Sequence, residues 1–257
     1  MEYLVICVVS FIGSGLTLFS GFGLGTLLTP VFAIFFPIEL AIGMTAVTHF
    51  LNNVFKFFLL GKHADKNIVL RFGIPSLIAA FAGAWVLTYI SDMPSMFSYA
   101  INEKVFAVTP VKLTIAVLLF FFALAEAFPS LMRFSFKKQH FVVGGLLSGF
   151  FGGLSGNQGA LRTAFLMKAN ITKEQFIATG VIIACMVDVS RLIVYNKLDV
   201  LRETDINYTL IVASVLCAFA GAWLGNAFLK KVTIGFIQKM VTVMLLVFAL
   251  LLGAGII

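Results

Sequence analysis

Ten apolar runs divide the chain, at 3–20, 22–36, 38–60, 67–91 and 105–128, then at 141–154, 157–168, 174–196, 206–229 and 234–257. An α-helix rises about 1.5 Å per residue, so roughly 20 apolar residues carry it across a bilayer core. The second, sixth and seventh runs are too short to cross comfortably. The pattern predicts two groups of five segments, each opening with a short or broken pair and closing with three full spans. Whether a short pair crosses or re-enters stays open at this level.

The two groups match each other. Ala80-Phe81-Ala82-Gly83-Ala84-Trp85 recurs letter for letter as Ala218-Phe219-Ala220-Gly221-Ala222-Trp223. Upstream, Gly15, Gly25, Leu27, Thr29, Thr45 and Val47 align with Gly149, Gly159, Leu161, Thr163, Thr179 and Val181. An odd number of segments per copy points the copies in opposite directions, a recurrent plan of secondary transporters. The expected fold is an all-α integral membrane protein of two homologous five-segment repeats in inverted orientation. The first repeat covers 1–130, a basic cytoplasmic linker 131–140, and the second repeat 141–257. The repeated Ala/Gly stretch itself reads as close helix packing.

Composition excludes a soluble enzyme. Apolar residues make up 61% and charged residues 11%, mean hydropathy is +1.07, and a globular domain carries about a quarter charged residues. The net charge of +7 does not indicate nucleic acid, because the basic residues are scattered among apolar runs. They sort by membrane face instead. With the loop of Lys62, Lys66 and Arg71 inside, Arg133, Lys137, Lys138, Lys168, Lys173, Lys230 and Lys231 also fall inside, ten basic residues against Lys104, Lys197 and Arg202 outside. That is the asymmetry of the positive-inside rule. Cys7, Cys185 and Cys217 lack metal or disulfide spacing and read as small core residues. Met1-Glu2-Tyr3 has no basic lead, so the first run is expected to remain as a span.

Each group opens with a glycine-rich break, Gly21-Phe22-Gly23-Leu24-Gly25 and Gly152-Gly153-Leu154-Ser155-Gly156-Asn157-Gln158-Gly159. Glycine lets backbone leave helical geometry and approach a ligand, and a helix restarting there offers free N–H groups to an anion. Such irregular backbone at membrane depth belongs beside a cavity or inside protein. A structural hairpin is the competing reading.

These glycine-rich openings, Ala41 to Thr48 with Ala178-Thr179, and the late Gly-Ala-Trp of each half resemble the TauE/SafE family of sulfite and organosulfur anion exporters. The likeness covers nearly the whole chain. It implies a multi-pass permease with two homologous halves, moving small sulfur-containing or carboxylated anions across the inner membrane. Neither break is an uninterrupted glycine triplet, since Phe22, Leu24, Asn157 and Gln158 intervene.

Ionisable residues within the spans are costly and mark function. Arg162 follows the second break, and a guanidinium fork with the Asn157 and Gln158 amides suits an oxyanion. Asp188 and Arg191 are spaced for an intrahelical pair, with Asp188 the proton-coupling candidate and Arg191 its partner or a second substrate contact. Thr45, His49 and Asn52 share one helical face, with Asn53 and Thr48 beside it. The expected anion site therefore comprises Arg162, Asn157, Gln158, Gly23, Gly25, Gly159, Thr45, His49, Asn52 and Arg191. Structural bracing and helix–helix hydrogen bonding compete for each. Lys56, Lys112, Glu126 and Lys239 read as snorkelling side chains near span ends.

The expectation is a non-enzymatic secondary transporter, an exporter working by alternating access at the repeat interface, with no metal, cofactor or catalytic residue. Its partners are a small anion and membrane lipid, with self-association open. A passive anion channel is one alternative. An intramembrane serine protease is another, since Gly153-Leu154-Ser155-Gly156 fits a nucleophile motif, but such a serine needs a base, and His49, His63 and His140 all precede it.

Overall fold

The computed structural model describes residues 1–20, 23–127, 140–167, 169–197, 207–228 and 234–257. It is mostly helical. The first half contains α1 (Glu2–Ser20), α2 (Leu24–Ala33), α3 (Ile38–Leu60), α4 (Lys66–Ser91) and α5 (Pro110–Ala127). The second contains α6 (Phe141–Ser155), α7 (Gly159–Leu166), α8 (Lys173–Lys197), α9 (Tyr208–Phe228) and α10 (Ile234–Gly253). Helices Lys66–Ser91, Lys173–Asn196 and Tyr208–Gly225 are long and apolar enough to cross a membrane. The basic linker 131–139, Gly21, Phe22, Lys168, and the Arg202, Glu203, Asp205, Lys230 and Lys231 charges lie outside the described residues.

Local chemistry sets the helix ends. Asp65 Oδ1 accepts from the Ile68 N–H at 3.0 Å and caps α4, as side-chain oxygens do for the orphan donors of a first turn. Thr172 and Gln175 bond reciprocally at 3.0 and 3.2 Å ahead of α8, a capping box. Gly156 closes α6 at φ 76°, its N–H returning to the Gly152 carbonyl at 2.9 Å. A left-handed terminal residue of this kind favours glycine. Short α2 holds Pro30 in its interior and stops at Ala33, ahead of Pro37, which precedes α3.

One expectation is corrected. The run 105–128 is not a single span, because Lys104–Val108 pairs antiparallel with Phe97–Ile101 before α5 begins. Asn102 and Glu103 take φ 47° and 67° between the strands, the conformation a two-residue hairpin turn demands. Pro110 can open a helix but cannot continue one from Val108.

The two halves interleave. α4 packs on α6, α1 on α9, α3 on α8, and α5 on α10. Glycines set the first two seams. A Cβ on Gly145, Gly149 or Gly153 would strike the backbone of Phe72, Ser76 or Ala80, and one on Gly83 would strike the Phe150 carbonyl. Gly221 and Gly225 meet Phe11 and Gly15 in the same way. Small residues four apart allow this backbone approach where lipid supplies no hydrophobic drive. Trp85 and Trp223, beside those glycines, are exposed along with Phe58, Val117 and Leu250, an apolar exterior suited to lipid rather than water. The cysteines are free and half-buried rather than core residues.

Candidate functional site

A small cavity lies where the two halves meet. It is lined by Thr17 of α1, Gly23 and Leu24 at the start of α2, His49, Asn53 and Lys56 of α3, Arg162 of α7, and Phe176, Ile177, Gly180 and Val181 of α8. It offers about 30 Å³ to the centre of a water-sized molecule, room for roughly two waters. Its wall carries the basic side chains of Lys56 and Arg162.

Backbone breaks open this space. Gly23 is extended at φ −77° and ψ 144°, and its carbonyl accepts from the Thr26 N–H at 3.1 Å. A Cβ on Gly23 would stand 3.1 Å from His49 Nε2, so the missing side chain leaves the ring edge uncovered. Across the cavity a Cβ on Gly180 would lie 3.4 Å from Arg162 Nε. The guanidinium rests against bare backbone.

Behind the wall lies a buried ionic cluster. His49 Nδ1 is 2.6 Å from Asp188 Oδ2. Arg191 donates from Nε to Asp188 Oδ1 at 3.0 Å, and its Nη2 stands 2.9 Å from the same oxygen. The Asn53 amide nitrogen lies 3.1 and 3.2 Å from the two His49 ring nitrogens and 3.4 Å from Asp188 Oδ2. His49 is 2% exposed, while Asp188 and Arg191 are fully buried, so a charge here holds only because it is paired.

Of the site residues expected from sequence, Arg162, His49 and Gly23 line the cavity together. Asp188 and Arg191 stand behind His49 rather than in the wall. Asn52 accepts instead from Ser14 Oγ at 2.9 Å. Thr45 and Gly25 pack on each other near His49, with 3.5 Å from a Gly25 Cβ to Thr45 Cγ2. Gly159 starts α7, and the Gln158 carbonyl accepts the Arg162 N–H at 3.1 Å. The Asn157 and Gln158 side chains are buried away from the cavity, and their polar atoms find no partner among the described residues.

Lys56 is the residue the sequence reading misplaced. It is 4% exposed, and Nζ donates to the Ser14 carbonyl at 3.3 Å, so it faces the cavity instead of snorkelling. The available signal was spacing, since His49, Asn53 and Lys56 fall at i, i+4 and i+7 on one helical face. Ser155 donates to the Phe151 carbonyl at 2.9 Å and accepts from the Asn157 N–H at 3.3 Å. His49 is engaged with Asp188, which leaves the protease reading without a serine–histidine pair among the described residues.

An apolar exterior, an interleaved helical core and three helices long and apolar enough to cross a membrane among the described residues define a multi-pass membrane protein, and its family is one of transporters. The chain belongs to the sulfite exporter TauE/SafE family, whose model matches residues 5–252. No curated protein and no solved structure matches it.

Proposed function

We propose that this chain is a secondary transporter that exports a small anion, such as sulfite or an organosulfonate, across the cell inner membrane. The observation that carries this reading is the cavity in which Lys56 and His49 of the first half converge with Arg162 of the second. A guanidinium fork and a lysine amine answer an oxyanion's lone pairs, and the inside-negative potential favours moving net negative charge outward, a drive that a co-transported proton reduces by one charge. Asp188, 2.6 Å from the cavity histidine, holds that ring at the anion site.

The reading takes 1–130 and 141–257 as inverted repeats joined by 131–140. The packing supports it. Exchanging the halves maps the α1–α9 seam onto the α6–α4 seam, and maps the α3–α8 and α5–α10 contacts onto themselves. A site at such a repeat interface, beside broken helices, suits alternating access.

Counterflow in proteoliposomes tests it. Labelled sulfite is expected to accumulate transiently against unlabelled sulfite, which a simple pore does not do. Arg162→Ala is expected to abolish anion binding while the protein still folds and inserts. Unchanged sulfite binding in that variant removes Arg162 from the site.

A further inference from the structure

Resting on the anion-transport reading, we infer that His49 is the proton-carrying group of the site. Its Nε2 takes up a proton from solvent as the anion binds, while Asp188 and Arg191 position the ring instead of carrying the proton themselves.

The geometry distinguishes the two residues. Asp188 does not line the cavity, and donors already address both of its oxygens: the Arg191 guanidinium at Oδ1, and His49 with Asn53 at Oδ2. A proton on that carboxyl would have to displace one of them. His49 instead presents two different edges. Nδ1 is committed to Asp188 at 2.6 Å, and Nε2 faces the space left by Gly23 at the cavity wall. A carboxylate accepting from one ring nitrogen fixes the tautomer and leaves the other nitrogen's lone pair available.

The proton balance is simple. Nδ1–H keeps its bond to Asp188, the Nε2 lone pair accepts one proton, and no other covalent bond changes. The Asn53 amide then loses Nε2 as an acceptor, and Asp188 Oδ2, at 3.4 Å, is the acceptor that remains. The charged groups facing the ring are Asp188 and Arg191 on α8, Lys56 on its own helix, and Arg162 on α7. From α1 and α2 the neighbours are Thr17, Gly23 and Leu24, none charged. Three of these four charges are cations, and they oppose an imidazolium in the empty cavity. A bound anion offsets the fields of Lys56 and Arg162. Proton and anion therefore favour each other's binding, and the coupling is reciprocal.

The test uses the purified full-length chain in detergent, titrated calorimetrically with thiosulfate and with methanesulfonate. Both stay fully ionised from about pH 5.5 to 8.5, so neither anion takes up a proton of its own across the range in which histidine switches. Two buffers of different ionisation heat read the protons taken up. Binding is expected with net proton uptake, and affinity should fall towards about tenfold per pH unit on the alkaline side, the limit for one linked proton.

His49→Gln retains an amide donor but cannot take the proton, so it should bind with no uptake and a flat pH profile. Asp188→Asn should keep the uptake, moved to lower pH because the imidazolium loses its carboxylate. It excludes the carboxylate as the carrier, and Lys56→Met, which should also keep the uptake, excludes the amine if His49→Gln fails to fold. Lost uptake in Asp188→Asn, or uptake that survives in His49→Gln, assigns the proton elsewhere and overturns the inference. Flat, proton-free binding by the parent protein overturns it while leaving the anion site standing. No binding of either anion at any pH overturns both.

Discussion

Replacing Lys56 with methionine should move anion affinity and empty-state stability in opposite directions. The Lys56 side chain is 4% exposed, and Nζ donates to one neutral acceptor, the Ser14 carbonyl, at 3.3 Å. Among the described residues no carboxylate pairs with it, and Arg162 shares its wall. Burying an ammonium costs several kcal/mol, and an apolar residue of similar volume commonly relieves about 1–4 kcal/mol of that. Methionine matches the length and flexibility of the stem, so the empty protein should hold its stability or gain. The bound anion, however, loses a charge-assisted hydrogen bond of about 1.5–3 kcal/mol, which raises Kd about ten- to a hundredfold. The assay is the thermal midpoint of purified protein with and without sulfite, backed by direct titration. Sulfite concentrations that raise the parent's midpoint by mass action should leave the variant's unmoved. A Kd within twofold of the parent, or a lower midpoint for the empty variant, would refute the placement of an uncompensated ammonium at the anion site.

Gly23→Ala suits the backbone, since φ −77° and ψ 144° admit alanine, but its methyl would stand 3.1 Å from His49 Nε2, so it should displace the ring slightly and weaken anion binding more than it lowers stability. Equal binding would show that the anion approaches the ring from another side. Gly149→Val should lower the thermal midpoint by the equivalent of about 1–3 kcal/mol, since its Cβ meets the Ser76 backbone, and an unmoved midpoint would mean the α4–α6 seam is loosely packed. Gln158→Met removes two buried polar atoms that lack partners among the described residues, which should stabilise the empty protein by about 1–3 kcal/mol. Reduced counterflow alongside that gain supports a transport role for the amide, and intact counterflow strikes it from the site.

The matching stretches of the two halves, the broken helix pairs and the placement of Arg162 and His49 at the cavity wall were legible because each rests on residue identity or spacing along the chain. Lys56 was not, because depth was counted from the end of α3. The helix is surrounded by α1, α2, α8 and α9, so four residues from its end is still inside protein. Asn157 and Gln158 lie five and four residues before Arg162, but they precede the start of α7 at Gly159, and only the arginine lines the cavity. The hairpin at 97–108 was hidden by its own composition. Phe97, Tyr99, Ile101 and Val105 are as apolar as a span, and their alternation about Asn102-Glu103 was the only cue to strands.

The seams between the halves differ in what they allow to move. Along α4–α6 and α1–α9 the contact is backbone against backbone, with no room for a single added carbon at Gly83, Gly149, Gly153 or Gly221. Packed interfaces of this density switch between discrete arrangements and do not slide continuously. Rotating 1–130 rigidly against 141–257 would have to open both seams at once. The α3–α8 contact is of another kind, since His49 and Asn53 meet Asp188 through side-chain tips, while Thr48 bonds Ser214 of α9 at 3.0 Å. Such hydrogen bonds can exchange partners with a bound anion at little net cost. Under the proposed alternating access, the movement is therefore expected at the α3–α8 contact, with the α1–α9 and α4–α6 seams staying clasped. Those seams join helices from both halves, so under that proposal residues 1–130 and 141–257 would not be the two moving bodies.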